Sequence, residues 1–223
     1  MNNFLNLFKN TFPNFNLISY ISYIEDNLKD CKTILDIGCG DNSPLRLLNN
    51  KYQMTGVDGY KKALLESKKK KIHNDYIQLD ITKLSRSFKN KSYDAVIALD
   101  VIEHLPKKEG DKLLMDMEKI ARKVVILNTP NGFTKQHNKA NDLQEHLSGW
   151  TSEDFKKAGY KVRGLYGYKP IYTFLRADDA GCRFQPRLFW GLIGGLLTEL
   201  SHHLFTKHNP EYSFSLTATK RVD

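Results

Sequence analysis

The chain is short of cysteine, of long apolar stretches and of any internal repeat, and each shortage excludes something. Its three cysteines (Cys31, Cys39 and Cys182) are odd in number, irregularly spaced and form no C-x-x-C pair. That excludes a disulfide framework and fits reduced thiols in the cytoplasm. The opening MNNFLNLFKNTF has neither the basic start nor the long apolar core of a secretory leader. The most apolar stretch, LFWGLIGGLL at 188–197, is followed closely by Glu199, His202 and His203 and is too short to cross a bilayer. It reads as a buried or lid helix, with peripheral contact to a membrane surface as the alternative. Also lacking is any nucleic-acid module with interleaved aromatics. The net charge of +9 therefore reads as lysines scattered over a solvated surface, and the cluster at 68–71 as a solvated helix face. Nucleic acid is not expected as a partner, and nothing in the sequence specifies an oligomer.

What is present suits one globular domain over residues 1–223. Hydrophobic residues make up 40% and charged residues 26% of the chain. Residues 1–30 form a lead-in with a helix expected over 17–28. From residue 33, short apolar runs (33–37, 53–57, 76–79, 93–99, 124–128) alternate with helical stretches (44–49, 61–70, 107–121). Alternation of this kind predicts right-handed crossovers and a parallel sheet covered on both faces. Later, Thr151 and Asp154 have the spacing of a helix start, Gly159 ends that helix, and strands are expected over 160–168 and 212–221. Between these two strands lies an insertion, residues 169–210, read as a lid or substrate-side element.

The motifs converge on one sheet edge. ILDIGCGDNSP, residues 34–44, reads as a buried strand that ends in Asp36 and opens into a turn with Gly38 and Gly40. Glycine reaches backbone angles closed to other residues there. Asp58 ends the next apolar run, about twenty residues on, at the offset of a ribose-binding carboxylate. Asn42 tolerates positive φ better than most residues, so the turn can continue through it. Ser43 stands where a dinucleotide dehydrogenase would carry its last glycine, which argues against that class. In DVIEHL, a helical turn begun at Asp100 would put Asp100, Glu103 and His104 on one face. His104 is the first candidate for a proton acceptor and His146 the second, with Glu103 beside them. Phe133 and Trp150 could wall a substrate pocket or simply pack.

In order and spacing, ILDIGCGDNSP, GVDGY, IQLDIT, YDAVIALDVIEHLPK and VVILNTPNGF resemble the class I S-adenosylmethionine-dependent methyltransferases. The likeness spans about 30–168 plus the terminal strand. TPNGF followed by QEHLSGWTSEDFKKAGY narrows it to a type-11-like subgroup. The resemblance implies an α/β, Rossmann-like three-layer sandwich whose seven-stranded, mostly parallel sheet has an antiparallel last strand. It implies S-adenosyl-L-methionine as cofactor. Asp58 would hold the ribose, Asp80 and Ile81 the adenine, and Asp36, Leu99 and Asp100 the methionine end. The expected function is methyl transfer to a small-molecule, lipid-like or glycan acceptor. Two alternatives stand beside it. Asp100, Glu103, His104 and His146 are similar to the E-x-x-E-H plus His set of metal-assisted small-RNA terminal-ribose 2'-O-methyltransferases, with Asp100 in place of the first glutamate. A non-catalytic cofactor-binding module is the other.

Overall fold

The computed structural model describes residues 20–48, 50–135, 142–170, 197–198 and 200–222. Seven strands form one sheet in the order β3-β2-β1-β4-β5-β7-β6. They are β1 (Thr33–Ile37), β2 (Gln53–Asp58), β3 (Asp75–Gln78), β4 (Tyr93–Leu99), β5 (Ala121–Pro130), β6 (Lys161–Tyr168) and β7 (Ser213–Arg221). The first five run parallel, while β7 pairs antiparallel with both β5 and β6. The α/β sandwich with an antiparallel last strand is thus as expected.

Each central strand is buried on both faces, and its side chains alternate between two cores. Leu35, Ile37, Val96, Ala98, Val125 and Leu127 pack against Leu113, Met117 and Ile120 of α4 (Lys107–Ile120) and Phe155 of α5 (Ser152–Lys157). The intervening Ile34, Ala95, Ile97, Val124 and Ile126 meet Ile21, Ile24 and Leu28 from the lead-in, where α1 occupies residues 20–27. Leu45 and Leu48 of the 3₁₀ turn Pro44–Leu48 join that second core. The remaining helices are α2 (Lys61–Lys69) and α3 (Leu84–Ser87).

Differences from the expected boundaries have local causes. α4 runs straight into β5 with Ala121 already extended, so no loop residue separates them and the strand starts three residues early. β3 is an edge strand with mostly exposed side chains, so its apolar signal is weak and its register lies one residue earlier than read. The lysines at 68–71 are solvated, as read. Most of residues 169–210, with the apolar stretch 188–197, lies outside the described residues. Among those described, no helix is long and apolar enough to cross a membrane.

Candidate active site

The carboxyl ends of β1, β2, β3 and β4 open onto a cavity of about 960 Å³. Gly38, Gly40, Asp58, Asp80, Ile81, Asp100 and His104 all line it. A smaller recess beneath the glycine turn is lined by Asp36, Gly38, Gly40, Ser43 and Leu99. The carboxyl edge of a parallel sheet, where the order reverses between β1 and β4, is where open α/β sheets bind ligands.

The turn is built for close approach. Gly38 and Gly40 have φ of +64° and +56°. A Cβ on Gly38 would lie 2.5 Å from Val101 Cγ2, so this glycine seats the turn against the β4 end. A Cβ on Gly40 would meet nothing, so that side faces open space. Asp58 is held by two backbone donors. Gly40 N–H donates to Oδ2 at 2.8 Å and Tyr60 N–H to Oδ1 at 2.7 Å. The carboxylate is thereby fixed beside the turn with acceptor capacity remaining on both oxygens. Asn42, read as tolerating positive φ, does not adopt it; the turn closes through Gly38 and Gly40 instead.

Asp80 lines the cavity and also caps the 3₁₀ turn Ile81–Lys83, accepting from Thr82 N at 3.0 Å and Thr82 Oγ1 at 2.7 Å. Those hydrogen bonds hold its carboxyl below the usual range. Asp36 is buried and accepts through Oδ2 from Ser43 Oγ at 2.7 Å. The same oxygen meets Nε2 of His73 at 2.8 Å. Sequence reasoning missed His73, which precedes the Asn74-Asp75 turn and carries no motif.

A second cluster sits where β4 and β5 end. The expected helical turn from Asp100 does not form. Asp100 has φ +55°, and only Ile102–His104 makes a 3₁₀ turn. The left-handed residue nevertheless brings Asp100 into the cavity wall and aims Glu103 inward. Glu103 accepts at Oε2 from Thr129 Oγ1 at 2.9 Å, while its buried Oε1 has no partner among the described residues. Burial, and then the neighbouring Asp100 charge, push its carboxyl up to about 8. The loop bearing His146 returns over this turn, with Leu147 N and Ser148 N donating to the Glu103 carbonyl at 2.8 and 3.0 Å. The rings of His104 and His146 meet edge to face, 4.9 Å apart. His104 Nδ1–H donates to the Glu145 carbonyl at 3.0 Å, and His146 Nδ1–H donates to the Thr134 carbonyl. Both Nε2 atoms are therefore left with lone pairs. Burial lowers both imidazoles below their ordinary value. One ligand atom from each of Glu103, His104 and His146 falls within 4.8 Å of the others.

Trp150 is not a pocket wall. It is 1% exposed, stacks on Phe155 at 5.4 Å, and lies under Lys107 Nζ at 3.6 Å. Phe133 is exposed.

Residues 35–129 match a family model described as a methyltransferase domain. Over this stretch, less than half of its length, the chain resembles the S-adenosylmethionine-dependent methyltransferases, whose fold it shares. S-adenosylmethionine is the cofactor of that family. A solved S-adenosylmethionine-dependent methyltransferase from Archaeoglobus fulgidus superposes with a TM-score of 0.60, covering 97% of this chain and 99% of that one at 17% identity. A ubiquinone biosynthesis O-methyltransferase of Rickettsia prowazekii is 28% identical over 143 residues, 60% of this chain and 55% of that protein. A small RNA 2'-O-methyltransferase of Tetrahymena thermophila is 26% identical over 170 residues, 64% of this chain and 40% of that protein. The chain spans between about a quarter and just over half of the length of the curated relatives it matches.

Proposed function

We propose that the chain transfers the methyl group of S-adenosylmethionine to a hydroxyl of a small-molecule, lipid-like or glycan acceptor. In this reading Asp58 accepts from the ribose hydroxyls, Asp80 and Ile81 border the adenine, and Asp36, Leu99 and Asp100 surround the methionine end. Displacement at the sulfonium methyl needs mainly alignment, and the departing thioether needs no proton. A hydroxyl acceptor does need a base. The observation that carries the reading is the pair His104 and His146, each tied through Nδ1–H to a carbonyl and each presenting an unprotonated Nε2. His104 lines the cavity, so it is the base, and His146 supports its position. Relatives named O-methyltransferases stand beside relatives named sterol 24-C-methyltransferases, so the choice of oxygen rests on the two imidazoles and not on those names.

The Glu103–His104–His146 cluster supports a second reading, metal-assisted methylation of a terminal ribose 2'-hydroxyl. The residues suit a divalent cation: an orphaned buried Glu103 Oε1 and two imidazoles with oriented lone pairs. A cation held there would supply Lewis acidity to a hydroxyl. One assay tests both readings. Transfer of labelled methyl is followed to phenolic, quinol, sugar and RNA 3'-ribose acceptors, with and without Mn²⁺. Under the first reading His104→Ala lowers turnover about a hundredfold without weakening S-adenosylhomocysteine binding, and Mn²⁺ is not required. Transfer only to RNA, and only with Mn²⁺, would establish the second. Unchanged turnover in His104→Ala would sink the first.

A further inference from the structure

The buried pair of Asp36 and His73 lies behind the glycine turn, and its histidine has no place in the chemistry described so far. Both side chains are almost fully withdrawn from solvent, at 2% and 0% exposure, and their polar atoms are 2.8 Å apart. An ion-pairing or hydrogen-bonding pair of this kind is costly to bury and stays only where its partners are fixed. Here they are fixed on every side. His73 Nδ1 lies 3.5 Å from Ser67 Oγ of α2. Its backbone N–H donates to Tyr76 Oη at 2.8 Å, and that hydroxyl donates to the Ser67 carbonyl at 2.9 Å. Tyr76 also meets the imidazole edge to face at 5.4 Å. The ring lies flush against the β2 backbone, since a Cβ on Gly56 would come within 2.9 Å of both His73 Nδ1 and Cys39 Sγ.

On the other side, Asp36 reaches the turn itself. Ser43 Oγ donates to Asp36 Oδ2 and accepts from Leu45 N at 3.2 Å, which starts the 3₁₀ turn Pro44–Leu48. A carboxylate only accepts, so His73 donates from Nε2, and its Nδ1 is left to accept from Ser67. Both donors use Oδ2. No described residue donates to Oδ1, and Asp36 lines the recess beneath the turn.

We propose that His73 is a positioning residue for cofactor binding: by holding Asp36 Oδ2, it turns Oδ1 toward the methionine end of S-adenosylmethionine. The inference rests on the cofactor lying against the Gly38–Gly40 turn. A histidine in the α2–β3 connection thus sets the orientation of an acid at the end of β1, linking two segments thirty-seven residues apart.

Isothermal titration calorimetry with S-adenosylhomocysteine tests this on the full chain. His73→Leu, which keeps bulk but loses the donor, is expected to weaken binding about tenfold, as loss of an orienting partner does elsewhere. His73→Gln, whose amide can donate near the position of Nε2, is expected to recover most of that loss. In Asp36→Asn, adding His73→Leu should cost little more, because the two act through one contact. Should His73→Leu fail to fold, NMR of the wild-type imidazole decides. The Nε2–H resonance is expected to shift on adding S-adenosylhomocysteine. Wild-type-like affinity in a folded His73→Leu, additive losses in the double variant, or an unmoved resonance in a binding-competent protein would each overturn the inference. The underlying placement fails separately, if Asp58→Ala binds S-adenosylhomocysteine as tightly as the wild type.

Discussion

Asp58 shows how far a single residue could be read from sequence. Its position after an apolar run, about twenty residues beyond the glycines, marked it as a sugar-binding acid. The structure places it 2.8 Å from Gly40 N. Its two backbone donors could not be read, because they depend on how the β1 and β2 ends come together. Asp58→Asn should keep the fold but lose charge-assisted acceptance, weakening S-adenosylmethionine binding by about 2 kcal/mol or roughly thirtyfold; calorimetry measures it directly. His73 was illegible for the opposite reason. Its meaning comes from a contact across thirty-seven residues, and no spacing rule covers that distance. Asp36 was legible as a candidate site residue, but its ties to Ser43 and His73 were not.

Among the elements, legibility followed periodicity. α4 buries Leu113, Leu114, Met117 and Ile120 at helical spacing, and its span was readable to within a residue. The turn after β4 was not, because the helical continuation from Asp100 is broken by that residue's left-handed backbone. The start of α5 was fully written in the sequence. Thr151 Oγ1 accepts from Asp154 N at 3.3 Å, and Asp154 Oδ2 accepts from Thr151 N at 2.8 Å, a reciprocal capping box. Thr151→Ala should therefore destabilise the protein by about 1 kcal/mol. Chemical denaturation would read this as a lower midpoint with an unchanged slope. The cost should not reach the cavity, since α5 packs into the core through Phe155.

For the whole molecule, buried titratable groups set a pH profile. Glu103 is raised to about 8 in the folded state. Its stabilising contribution is complete below the ordinary glutamate value and is lost as pH rises through 8. His202 is buried, has no hydrogen-bond partner among the described residues at either ring nitrogen, and is lowered to about 4 by desolvation. Its contribution is present above about 6.5 and is lost as pH falls toward 4. His104 and His146 are lowered as well and add to that acid-side loss. Between about pH 6.5 and 8 these histidines are silent and Glu103 acts against the fold. The ligand-free protein should lose about 2 kcal/mol across that window, visible as a falling Tm, and Glu103→Gln should flatten the slope. A Tm that rises over the same interval would contradict the burial of that acid. The overall architecture was legible because strand alternation and motif order fix a parallel sheet, whereas the pH profile needed the packed interior. The sheet order has one more consequence, for biosynthesis. Among the described residues, β6 joins the sheet only through β7, which also covers the outer edge of β5. A nascent chain still inside the ribosome at residue 213 must therefore leave one strand stranded and another uncovered. Until residue 221 clears the exit tunnel, that half of the sheet is a target for chaperones rather than a folded surface.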